Sequence, residues 1–194
     1  MTVLITGVVI VLCGLVKQHY LDHARQMAKV DALFATATPA PEVEHPPPLD
    51  PKKPTAVFLV AASLGAGMHT LLAARKLFGD RFKNYIFVRV GEIDSNSYRG
   101  EAALRRLEAE VQEELSYFVN YCHRRGIAAD AVAELLAIAD RIIAEYSDCV
   151  FLTSKLLFEN DTMLKRLLHN QTPLTIQREL HLRGVTMVIL PMKV

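Results

Sequence analysis

The sixteen residues at the start of the chain carry no charged side chain, and no other feature restricts the possible fold as strongly. Residues 2–16 are mostly valine, leucine and isoleucine, interrupted by two glycines and a few small side chains. A transmembrane helix needs ~20 apolar residues, more than this run supplies. We therefore expect the membrane helix either to begin upstream of this chain or to be completed by Tyr20 and Leu21. Residues 1–35 would then form this helix together with a polar helical extension.

Two other interpretations of this segment compete with a membrane helix. A signal peptide is disfavoured because no positive charge precedes the apolar run and no small-residue cleavage site follows it directly. The core helix of a soluble protein is the second alternative, because such helices are often this short. Lys17, Arg25 and Lys29 all follow the run, which places its C-terminal side in the cytoplasm.

A proline-rich segment separates this helix from the rest of the chain. Residues 36–54 contain seven prolines, which prevent a regular helix and favour an extended polyproline II conformation. We expect a semi-rigid linker here, with residues 55–194 forming a soluble domain. A domain of about 140 residues is long enough to bury a core of its own.

From residue 55 onward, short apolar runs alternate with amphipathic helical patterns. Predicted strands cover residues 56–62, 84–90, 150–152 and 185–190, and predicted helices cover 68–78, 101–125, 131–146, 162–169 and 172–184. This alternation predicts a three-layer α/β sandwich, in which helices cover both faces of a mostly parallel sheet of four or five strands. Residues 127–132 supply the fifth strand, at a sheet edge, unless Asp130 caps the following helix.

Charge and cysteine content argue against several classes of function. A net charge of +1 gives no basic surplus to neutralise phosphates, so nucleic acid is not an expected partner. Cys13, Cys122 and Cys149 are scattered and odd in number, without the spacing of zinc ligands. We expect reduced, buried thiols and no bound metal.

The segment SLGAGMHT, residues 63–70, joins the first predicted strand to its helix and is the first candidate binding site. Glycines and free backbone amides at a helix N-terminus let an anion approach, so Gly65, Gly67, His69 and Thr70 are candidate ligand-binding residues. The segment lacks the third glycine of a dinucleotide-binding loop and the Gly-Lys-Ser/Thr of a P-loop. The favoured interpretation is a tight turn whose small residues let the helix pack on the strand.

Glu92 and Asp94 follow the second predicted strand and are weaker candidates for a ligand site. At the carboxyl edge of a sheet, paired carboxylates can transfer protons or hold a metal, although solvated loop residues are the favoured interpretation. Lys155 and His169 are the remaining polar candidates, and no spacing among them demands a catalytic group. We therefore expect no enzyme activity and no cofactor.

Four stretches of the chain carry a resemblance to a known family. They are PTAVFLV (54–60), GAGMHTLL (65–72), LLHNQT (167–172) and VILP (188–191), placed after a terminal membrane helix and a proline-rich linker. In this order they resemble the C-terminal region of bacterial permeases of the amino acid–polyamine–organocation superfamily. The soluble part resembles the universal stress protein fold (adenine nucleotide alpha hydrolase-like), which those permeases append to their membrane core.

The resemblance implies a transport-related role at the inner membrane, with the soluble domain on the cytoplasmic side. That domain would be a non-catalytic regulatory or interaction domain, docking on the transporter core or on a second copy of itself. Two departures from the family matter. One membrane helix cannot form a substrate pathway, so the chain is incomplete for transport on its own. No glycine lies between Gly126 and Gly184, where ATP-binding universal stress proteins carry the loop G-x2-G-x9-G-S/T.

Two other classes of function compete with a regulatory domain of an amino acid permease-like transporter. The first is a domain that senses a nucleotide or another anion at residues 65–70. The second is an enzyme using Glu92, Asp94 and His169, which the sequence supports least.

Overall fold

The computed structural model describes residues 2–35, 44–60, 63–89, 101–132, 136–157 and 172–193. Its helices are α1 (Thr2–Ala35), α2 (Leu64–Phe78), α3 (Glu101–His123), α4 (Leu136–Glu145) and α5 (Thr172–Leu182). Its strands are β1 (Thr55–Val60), β2 (Asn84–Arg89), β3 (Ala128–Val132), β4 (Cys149–Leu157) and β5 (Thr186–Lys193). The predicted helix over 162–169 lies outside the described residues, as do Glu92, Asp94 and His169.

These strands form one parallel sheet in the order β3-β2-β1-β4-β5. Its central strand is β1, in which Thr55 lies opposite Asn84 of β2 and Cys149 of β4. All of β1 is buried, which explains its continuous apolar run, since both faces of a parallel sheet are covered. The predicted α/β class with a parallel sheet is confirmed.

The fifth strand, left open by the sequence, is present at one edge of the sheet. Residues Ala128–Val132 pair with β2, with Ala129 opposite Tyr85, and α4 begins only at Leu136. The predicted start of this helix at residue 131 is therefore wrong. Asp130 does not cap the helix; its carboxylate accepts a hydrogen bond from the Ala131 amide at 2.8 Å, inside the strand.

Helices cover both faces of the sheet, and side chains of β1 alternate between two cores. One core lies under α2 and α3, where Phe58 and Phe87 stack at 5.1 Å and Phe87 and Phe118 at 5.2 Å between ring centroids. The other lies under α4 and α5 and includes Ile142 and Leu180. This alternation holds the sheet rigidly between the two helical layers.

The described end of the proline-rich segment is fixed to the amino edge of the sheet. The buried Asn84 side chain donates to the Asp50 carbonyl at 2.7 Å and to the Thr55 hydroxyl at 2.9 Å. Its carbonyl oxygen accepts from the Asp50 amide at 3.1 Å. Leu49 packs against the core under α4 and α5. Residues around Asp50 therefore belong to the packed domain, whereas the sequence predicted a linker there.

Candidate functional site

The candidate site lies at the carboxyl edge of the sheet, where the order of strands reverses. The chain runs from β1 to β2 to β3 in one direction and then crosses back to β4 on the other side of β1. Ligands of open α/β sheets bind in the crevice at such a reversal. Because α2 begins directly after β1, residues 63–70 lie at this crevice.

The first turn of α2 holds the glycines of that segment, so α2 begins earlier than the predicted start at residue 68. Ser63 is the N-cap residue, in extended conformation, and its hydroxyl accepts from the Ala66 amide at 3.0 Å. A serine cap satisfies one amide of the first turn, which otherwise has no partner within the helix.

A carboxylate from α1 occupies the anion position at this helix N-terminus. Asp31 accepts a hydrogen bond from the Ser63 hydroxyl at 2.7 Å and another from the Gly65 amide at 2.7 Å. Acidic groups are stabilised here because the amides point outward and the helix dipole is positive. An anion from solution would therefore have to displace Asp31 to use the Gly65 amide.

Gly65 is required by the close approach of α1. A Cβ atom built on Gly65 would lie 2.6 Å from the carbonyl carbon of Val30 and 2.7 Å from the Asp31 nitrogen. Both atoms belong to the backbone, so the helices would have to move apart. Val30, Ala66 and Met192 form a small buried cluster beside this contact.

The other three candidate residues of α2 are fully or partly buried in the domain. A Cβ atom on Gly67 would lie 2.5 Å from the ring of Phe118, so this glycine makes room for a core aromatic. Thr70 is buried and donates to the Ala66 carbonyl at 2.8 Å. His69 is half-buried, its Nδ1 is buried without a hydrogen-bond partner in the described residues, and burial lowers its pKa.

A small cavity opens at the same edge of the sheet, beside the ends of β1 and β2. It measures about 170 Å³ and is lined by Val60, Leu64, Arg89, Glu114, Leu115, Tyr117 and Phe118. Arg89 and Glu114 form an ion pair that balances the charge of the only cation among these lining residues. Pockets for drug-sized ligands usually measure roughly 300–1,000 Å³, so this cavity, as lined by the described residues, is smaller than a typical ligand pocket.

Cys122 is buried and Cys149 half-buried, whereas Cys13, also predicted to be buried, is exposed on α1. In the part of the chain that the structure describes, no three histidine, cysteine or acidic side chains could share a metal ion. Burial raises the pKa of the Cys122 thiol to about 12 and raises the pKa of Cys149 as well. Both thiols are therefore protonated at neutral pH, and a thiol is a poor nucleophile.

Helix α1 is long and apolar enough to cross a membrane from Leu4 to Ala32, by length and composition. None of its most apolar window is buried against the described residues, whereas the core helix of a soluble protein is mostly buried; a signal sequence would pass the same test. No protein-family model, curated protein or solved structure matches this chain. The resemblance to permease tails therefore stays a prediction.

Asp31 is the residue that sequence reasoning missed. Its signal is weak but present, because apolar Met27 and Val30 lie one turn apart among the charged residues of the extension. Side chains at that spacing share one face of a helix, which indicates a buried contact.

Proposed function

We propose that the chain is a non-catalytic regulatory or interaction domain anchored in the inner membrane by α1. The observation that carries the proposal is the exposure of the apolar half of α1. Eight large aliphatic side chains between residues 4 and 15 face solvent: Leu4, Ile5, Val8, Val9, Ile10, Val11, Leu12 and Leu15. Burying one such side chain contributes ~1.5–3 kcal/mol, so transfer of all eight to lipid is favourable by on the order of 10 kcal/mol.

The charge pattern along α1 supports a cytoplasmic position for the α/β domain. Lys17, Arg25 and Lys29 follow the apolar half, and positive charges concentrate on the cytoplasmic side of membrane helices. The domain follows the same end of the helix. It would therefore lie at the cytoplasmic face of the membrane.

The polar groups of the candidate site support a structural role over a catalytic one. Asp31 is bound to Ser63 and Gly65 and Thr70 is bound within its own helix. A single span cannot form a transport pathway. We therefore propose that the domain regulates a permease-like transporter core of the amino acid–polyamine–organocation type, or pairs with a second copy of itself.

The membrane part of the proposal is tested by flotation of the full chain with vesicles of bacterial inner-membrane lipids. We expect the chain to float and to resist extraction at alkaline pH. The double variant Val9→Lys/Leu12→Lys should stay with the soluble fraction, because each lysine at the centre of a span is unfavourable by ~3 kcal/mol. Leu77→Lys is the matched control, since Leu77 is exposed on α2 and should not affect flotation. A wild-type chain that fails to float would contradict the anchor.

The transporter part is tested separately by co-expression with a permease core. The full chain, solubilised in mild detergent, should copurify with a tagged core of that superfamily and not with an unrelated membrane protein of similar size. Analytical ultracentrifugation of the chain alone tests self-pairing. A monomer that binds no permease core would contradict the regulatory role.

A second function, sensing of a nucleotide or other anion, is favoured by one observation: the N-terminus of α2 already binds a carboxylate, that of Asp31. If this is a ligand site, Asp31 competes with the ligand, and Asp31→Asn should bind it more tightly than the wild type does. Calorimetry with ATP, AMP, cyclic dinucleotides and inorganic phosphate measures this. Equal absence of heat in both proteins would contradict the sensor.

A further inference from the structure

We propose that the contact of Asp31 with Ser63 and Gly65, here called the latch, joins the membrane helix rigidly to the carboxyl edge of the sheet, so that α1 and the α/β domain move as one body. This inference rests on the proposed function only in taking α1 as the membrane helix. It assigns to the polar end of α1 a role in fixing how the domain is oriented on the membrane.

Three kinds of contact act together at the latch. The carboxylate of Asp31 accepts two hydrogen bonds of 2.7 Å at the positive end of a helix. The backbone of Val30 lies so close to Gly65 that no side chain fits between the helices. Val30 itself is 5% exposed, in a cluster with Ala66 and Met192. The hydrogen bonds fix the orientation of α1 relative to α2, and the close packing fixes the distance between the two helices.

The latch, rather than the proline-rich segment, sets the position of the domain. Residues 36–48 connect the end of α1, at the carboxyl edge of the sheet, to Leu49 and Asp50, which are packed at its amino edge. Six residues of β1 rise only about 20 Å, whereas a polyproline chain of this length can span roughly 40 Å. A connection with so much excess length cannot hold α1 in place.

The same contact sets the distance between the membrane surface and the α/β domain. Lys17 is the first charged residue after the apolar half, and Asp31 follows it within the same continuous helix. At 1.5 Å per residue, the two are about 21 Å apart along the helix axis. A tilt or rotation of α1 in the bilayer would therefore move the N-terminus of α2, at the crevice where the strand order reverses.

Hydrogen exchange of the full chain in lipid nanodiscs tests the latch. In Asp31→Ala, the amides of residues 24–35 and 63–68 should exchange roughly tenfold faster or more, since a hydrogen bond to a charged group is lost. Gly65→Ala should do the same by steric separation while keeping the carboxylate. Asp22→Ala is the matched control, because Asp22 is an acidic residue of the same helix, half-exposed and paired with Arg25.

The outcomes separate the latch from the anchor. Faster exchange in both latch variants and not in the control, with β1 and β2 still protected, supports the latch. Unchanged exchange in Asp31→Ala or Gly65→Ala, or an equal change in Asp22→Ala, overturns it. If the chain does not enter nanodiscs, the same comparison in solution still decides the latch, and only the anchor is lost.

Discussion

Single residues at the crevice illustrate how one position can have two explanations. Gly65 and Gly67 both suggested a loop that cradles an anion, yet each is a glycine because another atom occupies the space of its Cβ. For Gly65 that atom belongs to the backbone of α1, and for Gly67 to the ring of Phe118. Sequence alone identifies the need for a small residue but not its neighbour, because both neighbours lie far away along the chain.

Acid should destabilise the protein through His69. Burial lowers the pKa of His69 below its usual value of 6.5, so the unfolded chain binds a proton at a pH where the folded protein does not. The stabilising effect of the neutral ring is present above that usual pKa and is lost as the pH falls toward the folded pKa. Urea unfolding at pH 7.5 and pH 5.5 should show a smaller loss of stability in His69→Gln than in the wild type.

The His69 comparison has an internal control. Other titrating groups contribute equally to both proteins, so the difference between them isolates this ring. The same substitution at a second histidine, His123→Gln, is the control variant. The Nε2 atom of His123 lies 3.0 Å from the Ala129 carbonyl oxygen. A pH dependence that is identical in wild type and His69→Gln would contradict the assignment.

At the scale of elements, hydrophobic periodicity predicted most of the helices and strands, and glycines predicted where three of the helices end. Helices α2, α3 and α5 end close to Gly79, Gly126 and Gly184, which have positive φ angles of 56°, 68° and 76°. Strand β3 was ambiguous because AADAV is short and only partly apolar, and a strand of this kind is fixed by pairing with β2. Pairing with a neighbouring strand, rather than the conformational preference of its own residues, decides whether such a segment forms a strand.

Asn84 should be the main connection between the proline-rich segment and the sheet. Asn84→Ala removes the side-chain bonds to Asp50 and Thr55 and leaves partly buried backbone groups of Asp50 without these partners, which destabilises a protein by ~1–3 kcal/mol. Urea unfolding of the full chain in detergent measures the loss. The exposed neighbour Lys83 provides the control, because Lys83→Ala should change stability by less than ~0.5 kcal/mol. Equal effects of the two variants would show that the segment is held elsewhere.

At the scale of the whole molecule, the apolar helix was predictable from composition, but its attachment was not. An uncharged run indicates that a segment is apolar enough to cross a membrane, whereas the contact between Asp31 and Gly65 depends on the path of the chain in space. The sequence suggested a domain separated from the membrane helix by a semi-rigid linker. The structure shows a helix that begins in the apolar segment and ends packed on the domain it carries.

Removal of residues 1–43 should separate the anchor from the fold. Among the described residues, both large cores are built from residues 49 onward, and only the small cluster of Val30, Ala66 and Met192 uses α1. The shortened chain, residues 44–194, should therefore fold and no longer float with vesicles. It should lose about 3–6 kcal/mol of stability, since burial of Val30 contributes ~1.5–3 kcal/mol and the hydrogen bonds of Asp31 add a similar amount. Circular dichroism with urea unfolding measures the fold and its stability, and flotation measures the anchor. If the shortened chain is unfolded, α1 is part of the domain core. If it still floats, membrane affinity lies in the α/β domain, because the apolar helix is absent from that protein.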